Sequence, residues 1–252
     1  MDKIAIIITT FLRDDLLKKA VESVYKNLPD ENYELIIIDQ NSTEEKRKEY
    51  SKFNYYSVPF NSGLSYGRNF GVEKAKELEC DYILISSDSF LCNHTLNNLD
   101  IIKEIIDTDE FDLIGFELNN CKCGWEAYLS LDCSGFELDF IEKDKQELIH
   151  KCDIIRNFFL ARTDSLLDVK WDDNLKLCEH ECFFWRYKKK GYKVGWTDLI
   201  VADKMTDRPH DYSTLRKVNF NEGLIYLKKK YKILGWVSYN HLDRAKRILD
   251  KS

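Results

Sequence analysis

The sequence lacks any apolar run of the roughly 20 residues that a transmembrane helix needs, and it contains no repeats or low-complexity segments. The short apolar run near the start ends in Thr9-Thr10 and is followed by Arg13, Asp14 and Asp15. This pattern predicts a first strand and not a signal peptide. Apolar residues make up 44% and charged residues 33% of the 252 positions, which is typical of a soluble globular protein. The length predicts one large domain, or one domain with an appended tail.

Cysteine motifs that bind zinc are also missing. The eight cysteines include no CxxC pair, which excludes a zinc site of that type. Cys121 and Cys123 are too close together for both sulfurs to bind one ion easily. Because no secretion signal is present, the cysteines are expected to be reduced thiols in a cytoplasmic protein.

Two phosphate-binding motifs are absent as well. The turn after the first strand, TTFLRDD, has no GxGxxG pattern, which argues against a dinucleotide site, and no GxxxxGKS/T motif of a P-loop NTPase occurs. A nucleotidyltransferase also places acidic residues at strand ends, but it usually needs a glycine-rich, basic loop at this turn. That class is therefore the weaker hypothesis for an enzyme.

The net charge of −6 is unevenly distributed. Residues 204–252 carry 12 basic and 5 acidic residues, a balance of +7, so the rest of the chain carries −13. This asymmetry favours a tail that contacts an anionic surface, such as a membrane or a lipid-linked acceptor. The alternative is that these charged residues only form the solvent-exposed faces of helices. An acidic body gives little support to nucleic-acid binding.

Strands and helices alternate in the first half of the chain, which predicts a parallel sheet with right-handed crossovers. Residues 119–150 break this rhythm and are interpreted as an irregular segment on the acceptor side. The predicted strands are 3–10, 34–39, 54–58, 82–90, 111–118, 154–161 and 192–201. The predicted helices are 14–27, 44–52, 61–78, 93–106, 182–190, 213–231 and 236–249.

The stretch YILISSDSF, residues 82–90, is the predicted central strand, and it ends in a polar cluster of Ser87, Asp88 and Ser89. Ligands of open α/β sheets bind at the carboxyl ends of the strands, so we place the active centre near Asp88. The alternative is that Asp88 only caps the following helix.

Polar side chains end two other strands. Thr10 follows the first strand and Asp39 the second, where a carboxylate can accept hydrogen bonds from a ribose or a pyrimidine N–H. In NSGLSYGRN, Arg68 lies in the first turns of a helix, where anions bind. The alternatives are a turn residue for Asp39 and a surface ion pair for Arg68.

Glu179, His180 and Glu181 precede the aromatic run Phe183-Phe184-Trp185. Ionisable groups against aromatic surface can have shifted pKa values and supply a general base, and they can also bind a divalent metal. The alternative is a solvated helix start with favourably placed acids.

In their order along the chain, these segments resemble the inverting family 2 type of the GT-A nucleotide-sugar glycosyltransferases. IIITTFLRDDLL is similar to the opening strand and T-Y-N-R turn of that family, and IIIDQNST to its V-D-D-G-S-T segment. NSGLSYGRNFG is similar to N-x-G-x-x-x-A-R-N-x-G, ISSDSF takes the D-x-D place, and CEHECFF takes the E-D place. Residues 157–203 resemble the animal β-1,4-N-acetylgalactosaminyltransferases, which weakly favours UDP-GalNAc as donor.

The resemblance implies an α/β GT-A fold with a mostly parallel sheet flanked by helices and a helical C-terminal tail. Residues 1–203 would form the glycosyltransferase domain, with a nucleotide-binding half, 1–118, and an acceptor half, 119–203. Residues 204–252 would be the basic helical tail.

The resemblance also implies roles for individual residues. The reaction would be a single displacement at the anomeric carbon, with inversion and loss of a nucleoside diphosphate, and Glu181 or Glu179 would deprotonate the acceptor with His180 as partner. The donor nucleotide would be bound by Thr10, Phe11, Arg13, Asp39, Asn61, Gly63, Arg68, Ser87, Asp88, Ser89 and Lys204.

The sequence departs from the family pattern at the metal site. Asp88 would bind Mn²⁺ or Mg²⁺, but the other acidic positions of D-x-D are serines, and Asp203-Lys204 replaces an Asp-His pair. One carboxylate supplies too few oxygen ligands for a hard cation. Lys204, with Arg68, would offset the charge of the diphosphate instead. Metal dependence and metal independence both stay open at this point.

We therefore expect a cytoplasmic glycosyltransferase that acts on a glycan or glycolipid acceptor, with peripheral membrane contact through its tail and no nucleic-acid partner. The alternative outside the enzymes is a degenerate GT-A domain that binds a sugar nucleotide or glycan without turnover, since serines flank Asp88.

Overall fold

A computed structural model describes residues 3–28, 32–120, 126–131, 135–141 and 147–233, and the backbone of 236–239. The strands are β1 (Ile4–Thr10), β2 (Tyr33–Asp39), β3 (Asn54–Ser57), β4 (Tyr82–Ser87), β5 (Phe90–Cys92), β6 (Leu113–Asn119), β7 (Ala127–Leu131), β8 (Phe136–Phe140), β9 (His150–Cys152), β10 (Phe159–Arg162), β11 (Val194–Lys204) and β12 (Trp236–Tyr239). The helices are α1 (Asp14–Asn27), α2 (Glu44–Glu49), α3 (Leu64–Glu77), α4 (Leu99–Asp107), α5 (Thr163–Val169), α6 (His180–Lys189) and α7 (His210–Tyr231), with a 3₁₀ helix at His94–Asn98.

Among the described strands, nine form the main sheet in the order β3-β2-β1-β4-β10-β6-β11-β5, with β9 beside β11. The strands β1, β2, β3 and β4 are mutually parallel, as the alternating pattern predicts. In β1 all seven residues are buried, because helices cover both faces of the sheet. Successive side chains of β1 contribute to two different cores: Ile7 belongs to the core that includes Val72 of α3, and Ile6 to the core that includes Leu17 of α1.

The sheet is mixed where the sequence predicts parallel strands. The strand β10 lies antiparallel between β4 and β6, and it covers only the end of the predicted strand 154–161. The predicted strand 82–90 is also two strands. The first, β4, ends at Ser87, and β5 leaves it to pair antiparallel with β11. Asp88 and Ser89 form the turn between them.

The segment 119–150, expected to be irregular, contains the strands β7 and β8, which pair antiparallel. The predicted helix 236–249 is wrong over its first four residues, because Trp236–Tyr239 form β12, parallel to β8. Aromatic and β-branched residues such as those in WVSY favour strands. The remainder of that predicted helix lies outside the described residues. Of the predicted helical tail, residues 204–252, the part that forms α7 is helical. Its first residue, Lys204, belongs to β11 instead.

A buried carboxylate holds the end of α7 on the domain. Asp172 accepts hydrogen bonds from the Tyr231 hydroxyl at 2.6 Å, from Lys230 Nζ at 2.9 Å and from the Tyr226 hydroxyl at 3.2 Å. Burial alone would raise the pKa of Asp172, but the hydrogen bonds from Tyr231 and Lys230 hold it well below its usual range. Lys230, one of the basic residues of the segment 204–252, is thus paired with Asp172, although its side chain stays about half exposed. In the ranges described above, no helix is both long and apolar enough to cross a membrane.

The close contact between α3 and β1 gives a stability prediction. A Cβ on Gly71 would lie 2.8 Å from Ile7 Cγ2, whereas one on Gly67 would lie 3.3 Å from Thr9 Cγ2. We expect Gly71→Ala to lower the free energy of unfolding by about 1–2 kcal/mol, because overpacking outweighs the gain in helix propensity. Gly67→Ala, the matched control, should change it by less. Urea denaturation measures both, and an equal or smaller loss for Gly71→Ala would contradict this packing.

Candidate active site

A cleft of about 400 Å³ opens at the carboxyl ends of the central strands. Its walls come from the end of β1, the segment before α3, the loop before α6, and α7. The residues that line it are Thr9, Thr10, Phe11, Arg13, Gln40, Asn61, Gly63, Leu64, Lys176, Leu177, Tyr212, Arg216 and Asn219. Three of these lining residues are cationic and none is acidic, so the cleft suits an anionic ligand.

Asp88 lies beneath this cleft and is fully buried. Arg13 donates to both of its oxygens, with Nε 3.0 Å from Oδ2 and a guanidinium nitrogen on Oδ1. The Thr10 hydroxyl donates to Oδ2 at 2.9 Å and the Ser87 hydroxyl to Oδ1 at 3.1 Å. Burial raises the pKa of the Asp88 carboxyl, and the charge of Arg13 and the hydroxyl of Thr10 oppose that rise.

The serines beside Asp88 bind each other. Ser87 Oγ and Ser89 Oγ are 3.0 Å apart, and the Ser89 N–H donates to Ser87 Oγ. Their hydroxyls therefore stabilise the turn between β4 and β5. Since a helix does not begin directly at Asp88, the alternative that this residue caps one is wrong.

These contacts bear on a divalent metal at Asp88. A carboxylate has about four lone-pair positions, and Arg13, Thr10 and Ser87 supply four donors to them. Nor do the residues that the structure describes include a cluster of three or more His, Cys, Asp and Glu side chains suited to a metal ion. The donor set at Asp88 therefore does not fit Mn²⁺ or Mg²⁺, which need several oxygen ligands.

Asp39 at the end of β2 is also buried and fully engaged. Its oxygens accept from the Asn41 N–H at 2.7 Å and the Tyr55 hydroxyl at 2.7 Å, and Lys46 Nζ lies 2.8 Å away. Burial lowers the pKa of Lys46, but the carboxylates of Asp14 and Asp39 outweigh this effect and raise it. Asp39 thus lies below the cleft floor, while the next residue, Gln40, lines the cleft.

The segment from Asn61 to Asn69 fixes a second wall of the cleft. Gly63 has a φ of +97°, which favours glycine. Its N–H donates to Gln40 Oε1 at 2.7 Å, and a Cβ there would lie 2.5 Å from Lys176 Cα. Asn69 bonds to the backbone of Trp171 through both ends of its amide. These side chains hold the loop from Trp171 to Glu179 against α3.

Arg68 is buried and paired with Glu179, with Nη1 2.6 Å from Oε1. Its guanidinium also lies 5.5 Å from the ring centroid of Trp171. Neither Arg68 nor Glu179 is among the residues that line the cleft. The structure therefore places Arg68 of α3 in an ion pair with Glu179, the residue directly before α6. An ion pair is the alternative given above for Arg68. That alternative expected the pair on the surface, whereas it is buried.

His180 and Glu181 begin α6 directly after Glu179. His180 Nδ1 is 3.0 Å from Asn157 Oδ1, and the ring packs edge-on against Phe184. Burial lowers the pKa of His180 to about 4, so the imidazole is neutral near pH 7. Glu181 is buried. Lys204, the last residue of β11, pairs with Phe90 of β5 and does not line the described cleft.

Sequence reasoning missed the contribution of α7. Tyr212, Arg216 and Asn219 lie one helical turn or two apart, and all three reach the cleft. The Arg13 guanidinium lies 4.4 Å from the ring centroid of Tyr212, and Asn219 Nδ2 donates to Asn61 Oδ1 at 2.7 Å. Their spacing of three to four residues was the available signal, but it does not reveal which partner the helix face packs against.

The five cysteines in the described part of the chain, Cys80, Cys92, Cys152, Cys178 and Cys182, are free thiols. Burial raises the pKa of Cys80 to about 11 and those of Cys92, Cys178 and Cys182 to about 12. Cys121, Cys123 and Cys133 lie outside the described residues. None of the five lines the cleft, so their chemistry is separate from it.

Residues 5–168 match the family model of glycosyl transferase family 2. Beta-1,4 N-acetylgalactosaminyltransferase 1 of Mus musculus is 27% identical over 207 residues, which cover 77% of this chain and 37% of the relative. The uncharacterized glycosyltransferase YfnE of Bacillus subtilis (strain 168) is 26% identical over 227 residues, or 82% of this chain and 54% of the relative. The chain thus spans between a third and just over half of the length of these relatives.

Solved structures share the fold. TarS 1–349 of S. aureus, crystallised in complex with UDP-GlcNAc, superposes with a TM-score of 0.55 at 15% identity, covering 88% of this chain and 66% of TarS 1–349. GalNAc-T7, crystallised with UDP, GalNAc and Mn²⁺, gives a TM-score of 0.69 at 15% identity, covering 92% of this chain and 49% of GalNAc-T7. The predicted α/β GT-A fold, with its mostly parallel sheet and flanking helices, is confirmed.

The neutral state of His180 gives a pH prediction. Its pKa is about 4 in the folded protein against 6.5 for the unperturbed group, so protonation between these values favours the unfolded chain. We expect stability to be full above pH 6.5 and to fall as the pH drops towards 4, with about 3 kcal/mol of that loss due to His180. His180→Gln should lose this part of the pH dependence.

Urea denaturation at pH 7.5, 5.5 and 4.5 measures the effect. His94→Gln is the matched control, because His94 is exposed. If both variants kept the pH dependence of the parent protein, His180 would not be the buried neutral group described here.

Proposed function

Because the chain belongs to glycosyl transferase family 2, we propose that it moves a sugar from a nucleotide-sugar donor to a hydroxyl group of an acceptor. The observation that supports this most is the cationic cleft at the carboxyl ends of β1 and β2, the region where α/β sheets bind their ligands. Thr10 and Arg13 at the end of β1 and Gly63 before α3 lie together there. These are residues for which the sequence predicts a role in donor binding.

We propose UDP as the nucleotide of the donor. TarS 1–349 and GalNAc-T7, which share the fold, were both crystallised with UDP or a UDP-sugar. UDP-GalNAc is the first candidate donor, since a curated relative is a β-1,4 N-acetylgalactosaminyltransferase. In the cleft, Phe11 offers an aromatic surface against Phe60, with ring centroids 5.1 Å apart, on which a base can stack.

The proposed reaction is a single displacement with inversion. The acceptor oxygen forms a bond to the anomeric carbon while the bond from that carbon to the diphosphate oxygen breaks, and the electron pair leaves with the diphosphate. A base takes the proton of the acceptor hydroxyl. Cationic groups near the diphosphate lower the barrier, because negative charge develops on the departing oxygen.

Within the stretch from Glu179 to Glu181, we propose Glu181 as the base. Glu179 is held by Arg68 at 2.6 Å, and the lowered pKa of His180 makes that imidazole a weak base at neutral pH. Glu181 lies in the first turn of α6, one residue after His180, which takes the place of the acid in the family's E-D motif. His180 would then position this turn through Asn157.

The acceptor is proposed to be a glycan or a glycolipid, bound by the half of the domain that follows residue 118. Peripheral membrane contact through α7, and a cytoplasmic location, also remain predictions. Val218 and Ile225, which are seven residues apart on one face of α7, are exposed near Lys228 and Lys229, an arrangement that can contact an anionic membrane surface.

Release of UDP tests the proposed activity. We expect the purified chain to release UDP from UDP-GalNAc or UDP-GlcNAc, slowly with water alone and faster once an acceptor hydroxyl is supplied. Coupled detection of UDP and mass spectrometry of the product measure this. Donor hydrolysis would exclude the alternative of a degenerate domain, while binding of UDP without any release would favour it.

The base is tested by Glu181→Gln, with Glu179→Gln as its matched control. We expect Glu181→Gln to lower the turnover number about 100-fold or more, because general base catalysis contributes factors of this size, while UDP affinity stays the same. Glu179→Gln should instead lower Tm, because it weakens a buried ion pair. Near-normal turnover of Glu181→Gln would place the base elsewhere.

A further inference from the structure

The cleft is lined by cationic side chains, and none of the described residues that line it is acidic. Of the described residues that line it, Arg13, Lys176 and Arg216 carry positive charge. The two carboxylates nearest the strand ends, Asp39 and Asp88, are both buried below and are bound by Lys46 and Arg13. A ligand in the cleft therefore meets guanidinium and ammonium groups and not a pair of acids that could share a divalent ion.

Arg13 is held in one orientation from two sides. Asp88 binds its Nε and a terminal nitrogen, and Tyr212 of α7 stacks at 4.4 Å from the guanidinium carbon. The side chain is only 11% exposed, but it still reaches the cleft. A guanidinium has five N–H donors, so those not used by Asp88 remain to bind an anion.

Arg216 adds a second guanidinium from α7, beyond the matched residues 5–168. Its Nη1 lies 3.3 Å from the Tyr212 hydroxyl, so the same tyrosine contacts both arginines. Arg216 also lines a neighbouring surface groove with Arg208 and Lys217. Asn219, one turn further along α7, bonds to Asn61 across the cleft and fixes this helix over the site.

We propose that Arg13 and Arg216 bind the diphosphate of the donor directly, with no divalent ion bridging it to Asp88, and that Asp88 is a positioning residue for Arg13. The inference rests on the proposed function and deepens it. It differs from the expectation that Lys204 and Arg68 take this part, since neither of these side chains lines the cleft and Arg68 is paired with Glu179.

The chemistry of the groups supports this assignment. Arginine binds phosphate oxygens through paired N–H donors, and such charge-assisted hydrogen bonds are stronger than neutral ones. As the bond between the anomeric carbon and the diphosphate oxygen breaks, the diphosphate takes up the electron pair. Two fixed guanidinium groups then face the charge that develops.

The experiment is calorimetric titration with UDP, once in EDTA and once in Mn²⁺. We expect the parent protein to bind UDP with the same Kd within about twofold in both buffers. Arg216→Ala should raise Kd about tenfold or more in EDTA, because a charge-assisted hydrogen bond is lost, and Arg216→Lys should recover part of the loss. Lys217→Ala is the matched control: it removes a charge from the same helix but not from the cleft.

Asp88→Asn separates positioning from metal binding. If Asp88 positions Arg13, Kd should rise by a similar factor in EDTA and in Mn²⁺, at a Tm that shows a folded protein. If Asp88 binds a metal, the loss should appear only in Mn²⁺.

UDP binding that requires Mn²⁺, or equal effects of Arg216→Ala and Lys217→Ala, would overturn the inference while leaving the glycosyltransferase activity intact. Failure to bind UDP in either buffer would count against the proposed function itself.

Discussion

The buried pair of Arg13 and Asp88 is the interaction on which the site depends. It joins the turn after β1 to the turn after β4, and through Tyr212 it also contacts α7. A buried charge is costly unless it is paired and hydrogen-bonded, and Asp88 meets both conditions through Arg13, Thr10 and Ser87. Removing any one donor would leave a carboxylate in the interior short of a partner, so these segments keep one arrangement.

A second set of contacts fixes the opposite wall. The polar residues of the segment before α3 bind backbone groups of the loop from Trp171 to Glu179, and Arg68 pairs with Glu179 at its end. Gly63 brings the two segments within a distance that any side chain would prevent. The segment 61–69, which resembles a ligand-binding motif, thus also positions Lys176 and the start of α6. Because Glu181, the proposed base, lies in the first turn of α6, the same contacts connect the donor site with the base.

The sequence predicted the parallel core well, because strands covered on both faces are continuous apolar runs such as that of β1 and β2. It could not show that β10 inserts antiparallel between β4 and β6, since that choice depends on contacts between residues far apart in the chain. The same limit applies to the site. Asp88 was found from its position after a strand, but its pairing with Arg13 across 75 residues, and the contribution of Arg216, follow only from the fold. The strand β12 was missed because residues 236–249 were interpreted as one amphipathic helix.

The same balance of charge explains why serines and not acids flank Asp88 and why Asp88 pairs with Arg13. Arg13 occupies a position that belongs to the family's own turn, so the arginine alone does not distinguish this chain. In a D-x-D site, a divalent ion balances two carboxylates. Here Asp88 is the one carboxylate of the segment 87–89, because serines stand on both sides of it, and one guanidinium balances its charge. A divalent ion added to this arrangement would leave excess positive charge in the interior, whereas a diphosphate above it meets cations that the fold already holds in place.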